Sequence, residues 1–139
     1  PIAAAIGVEV DHPDVKPLIP DARQAGFDAL RRDGHYPINH TLVVRNELLA
    51  AHPGLAQDIF NTFTEAKRLY VERLAGLPIG ELSKGAQTYK RVMEITGADP
   101  LPYGIEANRP MIESVIRYAT EQGILKRPFT VEELFAPVA

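Results

Sequence analysis

A chain of 139 residues with 45% hydrophobic and 24% charged residues carries enough apolar material for one folded domain and too much for a disordered segment. A net charge of −3 and a pI near 5.8 leave no basic footprint for nucleic acid, and no apolar run reaches the roughly 18 residues of a membrane span. The absence of cysteine removes disulfides, thiolate nucleophiles and cysteine-ligated metals, and it fits a cytoplasmic protein.

The chain starts at Pro1 and not at a methionine, so processing, or a place inside something longer, is expected. Ile2 to Val10 is a short apolar run that suits a buried strand. Three prolines in the next ten residues force an irregular stretch. Asp21 should cap a helix that stops at Gly34. The "NHTLVVR" stretch, Asn39 to Arg45, is a second expected strand, because Thr41, Val43 and Val44 are β-branched. Asn46 should cap a short helix ending near His52-Pro53.

Pro53 suits the first turn of the next helix. Leu55, Ile59, Phe63, Ala66, Tyr70 and Leu74 form an apolar stripe on it, and Gly76 ends it. A further helix is expected from Ile79 to Ile95, weakened by Gly85 by about 1 kcal/mol relative to alanine. "TGADPLPYG" is a loop. The helix after it should turn Ile112, Val115, Ile116 and Ala119 inward and hold Pro110 in its first turn or two. Thr130 and Glu133 have the spacing of a capping box for a last short helix. Two short strands followed by helices read as an α/β fragment, since two strands alone make no stable sheet.

Four histidines, His12, His35, His40 and His52, show no helical metal-ligand pairing, so no metal site is expected. His40 stands between Asn39 and Thr41 ahead of an apolar run. A polar triplet at a strand end is where open α/β folds contact ligands; a half-buried histidine bonded to a backbone carbonyl gives the same local pattern. Asn108 and Arg109, within "YGIEANR", offer an amide and a guanidinium fork for a carboxylate. Helix capping and surface charge explain the same pair. Lys67-Arg68 and Arg31-Arg32 read as solvated helix faces. A free Pro1 amine is a candidate base of the N-terminal-proline tautomerase kind, a distant alternative.

The stretches "YPINHTLVVRNELLAAHPGLAQDIFNTFTEAKRLY" and "LPYGIEANRPMIESVIRYATEQGILKRPFTVEELFAP" closely resemble the C-terminal part of 4,5-dihydroxyphthalate decarboxylase-like proteins. The resemblance implies a C-terminal fragment of a two-lobed fold like that of type 2 periplasmic binding proteins. Residues 1–34 would be the tail of the second lobe, 35–45 a returning hinge strand with a Tyr36-Pro37 kink, and 46–139 the helical C-terminal part of the first lobe. It implies non-oxidative loss of CO₂ from a hydroxylated aromatic dicarboxylate, with no organic cofactor demanded. From position along the chain and not from the resemblance, His40 is the candidate catalytic group, as proton donor or as hydrogen-bond partner of a phenol. Asn39 and Thr41 are placed to orient the ring, Asn108 and Arg109 are the further ligand-binding candidates, and Arg45 would reach a carboxylate if it lay at the cleft end of the strand. The partners implied are a small aromatic or carboxylate ligand and the missing N-terminal half of the same protein. A homodimer through an exposed lobe surface is a further expectation, and the fragment alone should be inactive. A small-anion solute-binding protein of the transporter type is the alternative, with a periplasmic location.

Overall fold

The computed structural model describes residues 4–8, 10–34, 36 and 38–138. Among them the order of elements is α1 (Ala22–Asp33), α2 (Asn46–Ala51), α3 (Leu55–Gly76), a 3-10 turn (Ile79–Glu81), α4 (Lys84–Thr96), α5 (Ile105–Glu121) and α6 (Val131–Leu134). No strand occurs among the described residues, which overturns the expected α/β fragment with few strands. Residues 4–8, residue 10 and residues 38–45 are irregular where strands were expected. The physical reason is pairing. A helix closes its hydrogen bonds within one segment, whereas a strand needs a second segment beside it. Thr41, Val43 and Val44 favour a pleated backbone, but among the described residues no neighbouring stretch supplies a ladder. The Pro1 base, His35 and the proline of the Tyr36-Pro37 kink lie outside the described residues.

Local signals set the helix ends. The Asp21 carboxylate accepts from Gln24 N at 2.9 Å, and Gly34 takes the left-handed φ of 68° that closes α1. The helix expected from Ile79 is broken. A 3-10 turn ends at Leu82, and α4 starts only after Ser83, whose hydroxyl accepts from Ala86 N at 3.3 Å. Gly85 therefore falls in the first turn of α4, where its flexibility costs less than in a helix interior. Both halves of the Thr130–Glu133 capping box are present. Pro110 stays inside α5, in its second turn, where it removes one backbone donor to Glu106.

Packing is thin. α4 packs against α1 and α3, α2 against α3, and α6 against α5. Among the described residues the buried hydrophobic side chains are Leu30, Leu74, Val92, Ile112, Ile116 and Val131, and Pro100 is fully buried as well. Ile112, Ile116 and Val131 form one cluster, with Ile38, Ile105, Leu125 and Phe135 packed on it. The α3 stripe is buried at Leu74 but half-exposed at Phe63, and on α5 Val115 faces out although Ile112 and Ile116 face in. Few neighbours lie against these helices, so an apolar residue in phase with the core can still meet water.

Candidate functional site

Two anchors hold the approach to the polar triplet. Burial pushes the Tyr36 phenol above its ordinary value, with the nearby Tyr89 of α4 adding to the rise. Tyr89 in turn meets Tyr70 of α3 edge-to-face, with ring centroids 6.4 Å apart. Two residues on, Ile38 packs against the Ile112–Ile116–Val131 cluster of α5 and α6. Tyr36 thus lies near Tyr89 of α4, and Ile38 against the α5–α6 cluster.

Asn39, His40 and Thr41 then follow, all exposed. Among the described residues no side chain or backbone group bonds to any of the three. His40 is therefore not the half-buried, carbonyl-bonded histidine that its pattern also allowed. An unengaged imidazole can accept or deliver a proton, and an amide and a hydroxyl beside it can orient a ligand. Arg45, at the N-terminal boundary of α2, is also exposed, and no carboxylate pairs with it among the described residues.

Asn108 and Arg109 are engaged within the chain. The Asn108 Nδ2 donates to the carbonyls of Pro102 and Gly104, each at 2.8 Å, and so pins the loop before α5. Arg109 donates to Glu106 at 2.6 Å and reaches Glu132 of α6 at 2.9 Å. Those two carboxylates raise the guanidinium pKa, and Arg109 holds Glu106 below the ordinary carboxylate value. Arg109 lies one turn before Ile112 on α5. An open groove of about 500 Å³ runs along α5 and α6, with Arg109, Glu113, Arg117, Thr120 and Phe129 among its walls. Its arginines are matched by Glu106, Glu121 and Glu132, so it presents no uncompensated positive charge.

Lys67 departs from the solvated face expected of it. Its side chain is only 12% exposed and pairs with Asp99. Nζ also donates to the Leu101 carbonyl at 2.9 Å and sits 4.0 Å from the Tyr103 ring centroid. The signal was in the spacing: Lys67 falls four residues after Phe63, on the edge of the apolar stripe. Arg68, one residue on, does face solvent and pairs with Glu65 and Glu72. Among the described residues no group of three or more histidine or acidic side chains could hold a metal ion, and no helix is long and apolar enough to cross a membrane.

No protein-family profile matches the chain, and no solved structure matches it. Over 130 residues it is 26% identical to a 4,5-dihydroxyphthalate decarboxylase of Comamonas testosteroni, a match covering 92% of this chain and 39% of the relative. The chain thus spans about two-fifths of the length of the curated relative it matches. The relationship that this similarity supports is distant and partial, and it is decarboxylase-like.

Proposed function

We propose that this chain forms part of a decarboxylase that removes CO₂ from a hydroxylated aromatic dicarboxylate such as 4,5-dihydroxyphthalate. The observation that carries the reading is the similarity running through 92% of the chain to a relative of that name. The side chains of Asn39, His40 and Thr41, exposed and without a bond among the described residues, support it.

The chemistry assigns each a task. The bond from ring carbon to carboxylate breaks, CO₂ leaves, and the electron pair stays with the ring. A proton must arrive at that same carbon, and the His40 side chain is the donor. A phenolic hydroxyl para to the departing group takes up charge as the ring is protonated, and Asn39 and Thr41 hydrogen-bond the ring substituents. The second carboxylate needs a cation. Arg45 pairs with no carboxylate among the described residues, whereas Arg109 would first have to leave Glu106 and Glu132. Asn108 would act through the loop it pins.

The test is CO₂ release and product formation from 4,5-dihydroxyphthalate by the protein expressed from the complete gene, as wild type and as His40→Ala. One CO₂ per substrate is expected, with a loss of about 10²-fold or more in kcat for His40→Ala. Unchanged turnover in the variant removes His40 from the reaction. Saturable binding without CO₂ release supports the anion-binding alternative instead. The 139-residue stretch alone is expected to show no turnover.

A further inference from the structure

We propose that Ile38 is a positioning residue for His40, and that its packing on the α5–α6 cluster sets where the imidazole stands. What the imidazole does there rests on the decarboxylase reading; how it is held rests on this chain's own packing. Ile38 is half-buried against the cluster of Ile112 and Ile116 from α5 and Val131 from α6. Those partners all belong to this chain, so the contact holds whatever else lies over the exposed side of the segment.

The residues that follow have little else to fix them. Asn39 to Val43 are exposed, and among the described residues none of their backbone or side-chain groups takes part in a hydrogen bond. The next attachments along the chain are half-buried Val44 and the Arg45 carbonyl, which accepts from Leu48 N at 3.0 Å and Leu49 N at 3.3 Å. An extended chain spans at most about 3.5 Å per residue. His40 therefore lies within about 7 Å of Ile38, Cα to Cα, and as far as about 14 Å from Val44. The shorter tether dominates. A shift of Ile38 passes on to His40, whereas a shift of Val44 is absorbed by the residues between.

Isoleucine suits this task. Its β-branch leaves few rotamers, so seating the side chain also limits the backbone that carries it. Its seat is made of buried side chains on two helices and not of another loop, and such a support keeps a site precise. Precision matters for the reaction proposed. The proton donor must come within about 3 Å of its target, and an error of about 1 Å costs about 10²-fold in rate.

The test uses the protein expressed from the complete gene, with 4,5-dihydroxyphthalate as substrate. Ile38→Ala should lower kcat and kcat/KM together, by about ten- to a hundredfold. Ile38→Val keeps the branch and should lose only about threefold, and it carries the test if alanine prevents folding. Leu125→Ala is the control: Leu125 packs on the same cluster from the loop after α5 and is remote in sequence from His40. Thermal unfolding should show that both alanine variants weaken the fold, while kcat of Leu125→Ala stays at the wild-type value. Nuclear magnetic relaxation follows the segment without turnover. The amides of Asn39, His40 and Thr41 should fall toward order parameters below about 0.6 in Ile38→Ala and keep their wild-type values in Leu125→Ala. A wild-type kcat in the Ile38 variants, or an equal fall in Leu125→Ala, overturns the proposal. If the wild type releases no CO₂, the decarboxylase reading fails and the amides decide alone: unchanged order in Ile38→Ala then overturns the anchor as well.

Discussion

At Lys67 one ammonium group satisfies a loop that would otherwise have little to hold it. It meets the Asp99 carboxylate, the Leu101 carbonyl and the face of Tyr103, while Asp99 also accepts from Leu101 N at 2.9 Å. Asn108 closes the other side of the same loop through Pro102 and Gly104. Removing Lys67 would leave a partly buried carboxylate and a carbonyl without their shared donor. Lys67→Ala is expected to cost about 2 kcal/mol, less than a fully buried pair because Asp99 keeps some water. Urea unfolding measures it, and a loss below about 0.5 kcal/mol, the range of ordinary surface changes, would sink this account. The donor and acceptor groups that Asn39, His40, Thr41, Asn108 and Arg109 carry can be read from residue type alone. Their engagement cannot. Whether an arginine is free depends on Glu132, which comes from another helix, and whether an asparagine is free depends on carbonyls that a loop's path brings to it.

Among the elements, α6 has the least of its own to stand on. It is four residues long, yet it supplies Val131 to the main cluster. Its capping box makes up for length: Thr130 Oγ1 accepts from Glu133 N at 3.2 Å, and the Glu133 carboxylate accepts from Thr130 N at 2.7 Å. Thr130→Ala should cost about 1 kcal/mol, and Thr130→Ser should restore most of it. The same box is acid-sensitive. Arg127, and then the Thr130 N–H, hold the Glu133 carboxyl below its ordinary value of 4.5. A depressed carboxylate stabilises the fold above its ordinary value, and that contribution is lost as pH falls through the lower, folded value. Stability of the wild type should therefore decline below pH 4.5, and Glu133→Gln should flatten that part of the profile; an identical acid profile in both would remove Glu133 as the cause. Helix boundaries of this kind were legible because caps are local, as at Asp21, Gly34 and Thr130. The break at Ser83 was not, because serine inside an apolar periodic run is easily read as part of the helix. The strands were misread for the opposite reason: β-branched residues state a preference that only a neighbouring segment can realise.

For the whole molecule, the ratio of surface to mass decides what kind of stability to expect. An unfolded chain of 15.3 kDa would expose about 22,000 Å², so 10,975 Å² means that about half is buried. Compact domains of similar length bury about 68–70%. With a buried core among the described residues of only Leu30, Leu74, Val92, Ile112, Ile116 and Val131, beside Pro100, the chain gains little from the hydrophobic term against the entropy of ordering. The slope of a urea titration measures the surface that unfolding exposes. The m-value of the 139-residue chain is therefore expected to lie below that of a compact domain of equal length. An m-value as large as a compact domain gives would mean that the chain buries far more surface than these helices and their open flanks allow.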